Sequence, residues 1–297
     1  MSKKKKLIIS IISIVLVIAI GVTAGVLLYK DWPDVIQDFE EKSGDDVIRV
    51  MSFNIRCTNV GRDSWEDRIG IVTETIVKSQ ADSVGVQEAT PEWMATLDEK
   101  LTDYDYVGVG RDDGKNAGEF SAIFYLKDKY NLLDSGTFWL SETPEKPSMG
   151  WDAACNRICT WAVLENKETK EQYVHVNSHF DHVGIKAREE SVKMILEHIS
   201  KYSDLPVVFT ADMNVKEDSD NYVAFTKELK DTKYLASDTM DYLTYHDTKP
   251  SKNGEWIIDY VMVNDNFDAL SYKVVTAGIE ERYVSDHFPV YADIKIK

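Results

Sequence analysis

The sequence predicts a single mixed α/β (α+β) domain behind one N-terminal membrane-spanning helix. Three observations carry this. Beyond residue 45, short apolar runs of strand length alternate with stretches whose apolar residues recur at helical spacing. After its first thirty residues the 297-residue chain is long enough for one large α/β domain or two small ones. No Gly/Ser/Pro-rich linker, internal repeat or low-complexity tract divides that length, which favours one domain.

The first thirty residues differ from the rest. Lys3 to Lys6 form a basic run, and Leu7 to Leu28 is an uncharged, almost wholly apolar stretch of 22 residues. About 20 such residues cross a bilayer as a helix. A cleaved signal peptide is the competing reading, but its apolar region usually runs about 7–15 residues. No small-x-small cleavage site follows the apolar run. The lysines before the span, with Asp31, Asp34 and Asp38 after it, place residues 1–6 in the cytoplasm and the remainder outside a cell membrane crossed once. Residues 29–46 then read as a polar stalk and 47–297 as the folded domain.

The chain holds 34 Lys and Arg against 51 Asp and Glu, a net charge of −17. Five of the lysines fall in the first thirty residues with no acid beside them, so the outer domain is more acidic still. Such a surface repels polyanions at long range and lacks the basic footprint of a protein that grips long nucleic acid. Cys57, Cys155 and Cys159 are an odd number, so they form no full disulfide framework. The spacing of Cys155 and Cys159 fits either a pair or two buried thiols.

Val47 to Phe53 alternates apolar residues with Arg49 and Ser52 and reads as a strand running into Asn54, with Arg56 two positions on and on the same face. Asp63 to Ser79 opens with helix-starting residues and repeats Ile69, Val72 and Ile76 at helical spacing. Asp82 to Gln87 is a second buried strand ending at Glu88, and Pro91 to Leu101 is a helix. Tyr104 to Val109 is a strand, after which the polar loop Gly110 to Glu119, containing Arg111, feeds a strand from Ser121 to Leu126. Thr137 to Leu140 leads into a long irregular region, Ser141 to Arg157, which includes Trp151 and Asn156. Binding residues concentrate in such segments, although a solvated hairpin tip has the same composition.

Trp161 to Leu164 and Tyr173 to Val176 form a strand pair, and the second strand delivers Asn177, His179 and Asp181. Lys186 to Tyr202 is an amphipathic helix with Val192, Ile195, Leu196 and Ile199 as its buried stripe. Val207-Val208-Phe209 follows as a strand buried on both faces, ending in Thr210-Ala211-Asp212-Met213-Asn214. Residues two apart on a strand share a face, so Asp212 and Asn214 project together from its C-terminal end, unless they simply open a turn. Trp256 to Val263 holds Asp259 inside an apolar strand, where a carboxylate needs a partner. Ser285-Asp286-His287 precedes the last strand.

Each of these polar residues has an ordinary structural explanation by itself. Their convergence is the signal: Asn54, Glu88, Asn177 with His179, Asp212 with Asn214, Asp259, and Asp286 with His287 all sit beside an apolar strand. Carboxylates, carboxamides and two histidines, without a cysteine ligand or a serine-nucleophile motif, suit a hard cation such as Mg²⁺ or Mn²⁺. An Asp beside a His fixes the imidazole's tautomer and raises its basicity. Such a site activates water against a phosphoryl group.

At these residues the chain resembles the endonuclease/exonuclease/phosphatase superfamily, the DNase I-like fold. The motifs are Met51-Ser52-Phe53-Asn54, Gly85-Val86-Gln87-Glu88, Asn177-Ser178-His179, Thr210-Ala211-Asp212-Met213-Asn214, Ile258-Asp259-Tyr260 and Ser285-Asp286-His287, in the family's order over roughly residues 47–297. The resemblance implies a four-layer sandwich of two mixed β-sheets flanked by helices. It implies Glu88 as the main metal ligand, helped by Asn54 and Asp286. His287, paired with Asp259, is implied as general base or phosphate contact, with Asp212 the alternative proton acceptor. Asn214 and His179 are implied to hold non-bridging oxygens, and Asn177 to support the site beside the substrate. Arg56 stands where several nucleases of the family carry a further acidic metal ligand, which argues against a second metal and for a contact to substrate phosphate. Ala211 replaces the usual Gly.

The function expected is a membrane-anchored, extracellular, Mg²⁺- or Mn²⁺-dependent hydrolase of phosphate esters. Superfamily members cut DNA, RNA, phosphoinositides and sphingomyelin, so fold does not choose the substrate. The acidic surface and the tether favour a small or lipid-linked ester, with Arg111, Trp151, Asn156 and Arg157 as further substrate contacts. An extracellular DNase- or RNase-type nuclease is the alternative enzyme, and an inactive, membrane-tethered binding module the alternative from another class.

Overall fold

The computed structural model describes residues 39–58, 64–247, 256–276, 278–279 and 282–297. All of them fall in the C-terminal of the two units into which the chain divides, Ile36–Lys297. The expected cytoplasmic tail 1–6, the membrane span 7–28 and the first part of the stalk lie outside the described residues. Among the described residues no helix is long and apolar enough to cross a membrane.

In chain order the first elements are β1 (Ile48–Asn54), α1 (Trp65–Ser79), β2 (Ser83–Ala89), α2 (Pro91–Lys100), β3 (Tyr104–Val107), β4 (Phe120–Leu126) and β5 (Tyr130–Trp139). There follow β6 (Ile158–Asn166), β7 (Gln172–His179), α3 (Ile185–Ser200), β8 (Val207–Asp212), α4 (Asp220–Glu228), β9 (Lys230–Asp231) and α5 (Thr232–Leu235). The last are β10 (Asp238–Thr239), β11 (Asp259–Val263), β12 (Phe267–Val274), β13 (Gly278–Ile279), β14 (Arg282–Tyr283) and β15 (Val290–Ile296). One sheet has the order β10-β12-β15-β1-β2-β4-β3, the other β5-β6-β7-β8-β11-β9, and β13 and β14 form a separate ribbon.

Each large sheet is mixed around a central parallel pair, β1 with β2 and β7 with β8, whose outer neighbours run antiparallel. A parallel pair needs a crossover, and α1 and α3 supply the two. Ser64 caps α1 by accepting from Asp67 N, and Thr90 caps α2 with Pro91 in the first turn. Strand alternation then sorts the side chains into layers. Met51, Phe53, Val84 and Val86 pack outward against Val72 and Ile76 of α1 and Trp93 and Leu97 of α2. Val174, Val176, Val207 and Phe209 pack the opposite way against Val192 and Ile195 of α3 and Phe225 of α4. Ile48, Val50, Tyr173, Val208, Val261 and Val263 meet between the sheets. Each such buried side chain contributes about 1.5–3 kcal/mol. Three apolar layers thus separate helices, sheet, sheet and helices, the sandwich expected.

The space between the sheets changes character along the strands. Toward one end it is apolar; toward the other it is lined by Ser52, Asn54, Gln87, His175, Asn177, His179, Thr210, Asp212 and Asp259, all buried. Gly85 marks the closest approach: a Cβ there would collide with Thr210 Oγ1 and the Asn177 amide, so only glycine fits.

Within the expected stalk, residues 39–46 touch the folded domain. Phe39 packs on Tyr291 at 5.7 Å, Lys42 pairs with Asp82 at 2.9 Å, and Glu40 O accepts from Arg49 Nη2. Between Asn214 and Trp256 lie α4, β9, α5 and β10, which the sequence pattern does not announce. Strands of two residues show no period, and α4 buries only Tyr222 and Phe225. Strand β12 is hidden in the sequence by a bulge between Ala269 and Ser271, which breaks its alternation. The three cysteines are free thiols.

Candidate active site

The topology explains why distant residues meet. Strands β1, β2, β7 and β8 deliver Asn54, Glu88, His179 and Asp212 at or beside their C-terminal ends. Asp259 lies at the start of β11 rather than inside it, but β11 runs antiparallel to β8, so Asp259 pairs in register with Asp212. Likewise β15 begins at Val290, opposite Ser52, which carries Asp286 and His287 back to the Asn54 end of β1.

Asn54 is the hinge of the group. Its Nδ2 donates to Glu88 Oε1 at 3.0 Å and to Asp212 Oδ2 at 2.9 Å, while its Oδ1 accepts from Arg56 N. Glu88 Oε2 accepts from Cys57 N at 2.8 Å. Arg56, Glu88 and Asn214 all adopt left-handed backbone, with φ of 59°, 62° and 50°. Such conformations cost of order 1–3 kcal/mol each and gather where side chains must be aimed. Here a register shift between Val86 and Ala89 turns Glu88 inward, and Asp212 Oδ1 holds Asn214 N at 2.9 Å.

His287 sits on the far side. Its Nδ1 is 2.8 Å from Asp259 Oδ2, and its Nε2 faces Asp212 Oδ2 at 3.7 Å. Thr244 Oγ1 accepts from Asp259 N, and Tyr245 lays its ring 4.9 Å from the imidazole. Burial pulls the His287 pKa down, but the Asp259 and Asp212 carboxylates outweigh it and raise it to about 10. Burial pushes Asp212 up, His287 draws it back and Asp259 pushes it up again, leaving it at about 7. Glu88 goes the other way. Burial raises it, yet the hydrogen bonds from Cys57 N and Asn54 more than offset that and hold it below the usual carboxylate range. His179 is kept neutral by burial, reinforced by Arg157 and Arg111; its Nε2 lies 3.4 Å from Asp212 Oδ2 and 3.1 Å from Asn214 Nδ2.

Two groups of side chains bring ligand atoms within 4.8 Å of one another: Glu88, His179 and Asp212, and Asp212, Asp259 and His287. Asp259 Oδ1 is buried with no hydrogen-bond partner among the described residues. The first group, with the Glu88 and Asp212 carboxylates close together, offers the hard oxygen donors that fit a divalent cation. Asp286 lies at the rim, 3.4 Å from Arg56 Nε, and its carboxyl is raised, by burial above all. Arg56 is therefore tied to Asp286 across the edge of the site.

Asn177 is not at the substrate surface. It is fully buried between the sheets, where Oδ1 accepts from Gln87 Nε2 at 2.7 Å and Thr210 Oγ1 at 3.0 Å, and Nδ2 donates to Val86 O and Ala122 O. It braces the wall behind the site. Asp181 leaves the strand face and caps the next turn, accepting from Val183 N and Gly184 N and pairing with Arg157. Arg111 is held in a bidentate pair by Glu119 at 2.8 and 2.9 Å, and Asn156 Nδ2 donates to Arg111 O. Trp151, half-buried with φ 47°, donates from its backbone N to Glu142 rather than to any of these groups.

Sequence reasoning missed the Cys57 N–H, which no side-chain pattern reveals, and Glu119, Thr244 and Tyr245. Glu119, a carboxylate placed just before a buried strand, carried the one available signal.

Residues 51–287 match the endonuclease/exonuclease/phosphatase family. The chain belongs to that family. A solved endonuclease/exonuclease/phosphatase from Bacteroides vulgatus is 39% identical, with a TM-score of 0.81 over 84% of this chain and 99% of its own. The mannosyl-6-phosphatase of Bacteroides thetaiotaomicron is 36% identical, with a TM-score of 0.80 over 83% of this chain and 99% of its own. An uncharacterized protein of Acanthamoeba polyphaga mimivirus is 27% identical over 218 residues, 70% of this chain and 76% of its own. Members of the family are metal-dependent hydrolases of phosphate esters, and this chain is such an enzyme.

Proposed function

We propose that this family member hydrolyses a small or lipid-linked phosphate ester, outside a membrane in which residues 7–28 anchor it. The carrying observation is the pairing of oppositely tuned groups in one site: Glu88 held low, Asp212 raised to about 7, and His287 raised to about 10 against Asp259. Glu88, with Asn54 and Asp286 near it, would hold Mg²⁺ or Mn²⁺. Bound there, the cation would neutralise phosphoryl charge and lower the pKa of water. Asp212, raised to about 7 and so only partly ionised at neutral pH, takes the proton from the attacking water in its ionised form. His287, protonated and oriented by Asp259, offers Nε2–H to a phosphoryl oxygen, and Asn214 and His179 receive the other oxygens on the opposite side.

The preference for a small ester over nucleic acid is supported by the net charge of −17 and by the similarity to a mannosyl-6-phosphatase. The membrane anchor is supported by the 22-residue apolar stretch and the lysines before it. The test is steady-state hydrolysis by the full chain in detergent, with Mg²⁺, Mn²⁺ or chelator, over sugar phosphates, inositol phosphates, sphingomyelin, RNA and plasmid DNA. Metal-dependent turnover confined to the small or lipid-linked esters is expected; faster cleavage of DNA or RNA would overturn the substrate assignment.

A further inference from the structure

His287 begins a line of contacts that runs outward to the rim of the site. Tyr245 lays its ring 4.9 Å from the imidazole, and the Trp256 ring stands 6.2 Å from Tyr245 at an angle of 69°. Lys216 Nζ sits 4.3 Å from the centre of the Trp256 ring. Lys216 follows Asn214 by two residues, so the line ends beside the wall that carries Asn214. The backbone under this rim is tied down. Trp256 O accepts from Thr244 N and Tyr245 N, the corner that also holds Asp259. Tyr260 Oη lies 2.9 Å from Val215 O and 2.8 Å from Ile257 O, which joins the chain neighbours of Lys216 and Trp256. Trp256 is nevertheless 49% exposed. Its fixed ring is a seat at the rim, and the Lys216 ammonium occupies it.

Charge decides what that ammonium is for. The chain carries 51 acidic against 34 basic residues, and three arginines around the site are each compensated: Arg56 by Asp286, Arg111 by Glu119 and Arg157 by Asp181. Lys216 differs. Among the described residues it makes no ion pair, and the adjacent Glu217 turns instead to Lys233 and Tyr234. Cation–π attraction holds the ammonium over the ring without using up its hydrogen-bond donors. A cation placed this way on an otherwise acidic surface favours negative charge on whatever reaches the rim.

We propose that Lys216, seated on Trp256, is a specificity-determining residue that binds an anionic group on the leaving alcohol. The preferred esters then carry a second negative charge away from the scissile phosphate. This rests on the small-ester reading above. Lys216 stands off the reacting atoms, so it acts on the choice of substrate and leaves water activation to the groups already described.

The test uses the full chain with Mg²⁺ at low salt and compares kcat/KM for 6-phosphogluconate and glucitol 6-phosphate. The two share their carbon chain and internal hydroxyls and differ at the far end, carboxylate against alcohol. The wild type should prefer the carboxylate about 5- to 10-fold, and added salt should erode that preference. Lys216→Gln, which removes the charge, should lower kcat/KM on 6-phosphogluconate about 5- to 10-fold more than on glucitol 6-phosphate. Lys216→Glu should invert the preference. Equal wild-type rates on the two esters, or an equal loss on both in Lys216→Gln, would overturn the inference. Cleavage of hexose 6-phosphates with no turnover of either ester would overturn it as well. Failure of the wild type on every small ester while it cleaves nucleic acid would instead remove the small-ester reading, and this inference with it.

Discussion

The two halves of the site are built on the same unit. In one, β1 and β2 form a parallel pair joined by α1; in the other, β7 and β8 form a parallel pair joined by α3. Each second strand brings a carboxylate to its end, Glu88 in the first half and Asp212 in the second. The carboxylates nevertheless differ in protonation. Glu88 receives Cys57 N and Asn54 Nδ2 and is held below its ordinary pKa, whereas Asp212 lies fully buried across from Asp259 and is raised to about 7. A permanently ionised group suits holding a cation, and a group poised near neutrality suits taking a proton. Two carboxylates whose surroundings push their pKa values apart carry two roles. Fold symmetry places them; local hydrogen bonds and burial divide the labour.

The sharpest way to break this comparison is to remove the base. Asp212→Ala should lower kcat by about 10²–10⁴-fold, with the melting profile of the folded state retained. Near-normal turnover in that variant would move the proton transfer to His287. Glu88→Gln should act through the cation instead. Calorimetric titration should find Mg²⁺ or Mn²⁺ binding weakened by at least the roughly 10–100-fold typical of losing a supporting group, and raised metal should restore part of the rate. Unchanged metal affinity would contradict the division of roles.

Asp259→Asn tests the electrostatics of the second half. Asp259 raises His287, so its loss lets burial pull the imidazole down, and the alkaline limb of the kcat profile should move to lower pH by about 1–3 units. The linkage has a definite sign. A folded-state pKa raised from 6.5 to about 10 stabilises fully below 6.5, and that contribution disappears as pH rises through about 10. In the metal-free chain Asp259→Asn should therefore lower Tm more at pH 6 than at pH 10.5. A pH-independent loss would assign Asp259 a packing role only.

Asn177→Ala should have the smallest effect on chemistry and act on stability. It leaves Gln87, Thr210 and two backbone carbonyls without their partner, at about 1–3 kcal/mol per buried group left unpaired. Denaturant unfolding should record the loss while KM stays near wild type. A raised KM with unchanged stability would return Asn177 to the substrate surface.

Much of this arrangement is legible in the chain because strand alternation is legible. Asn54, Glu88, His179 and Asp212 announce themselves as polar residues at the ends of apolar runs, and their strands are long enough to show a period of two. Asp259 reads less clearly, since its place depends on β11 running antiparallel to β8, a fact of topology rather than of pattern. Asn177 misleads for the same reason: alternation gives it the face of His179, but only the second sheet determines that the face there is closed. The pairs Arg111–Glu119 and Arg157–Asp181 lie in loops, where no period constrains direction. The left-handed backbone of Glu88 and Asn214, and the Cys57 N–H that accompanies it, leave no mark on side-chain composition.

The most direct test of the central claim is a carboxyl carbon-13 NMR titration of the metal-free full chain, with Glu88→Gln and Asp212→Asn used to assign the two signals. The account predicts that Glu88 titrates below 4.5 and Asp212 near 7. Titration of Asp212 in the ordinary carboxylate range, or of Glu88 above it, would contradict the assignment of cation holding to one strand end and proton transfer to the other.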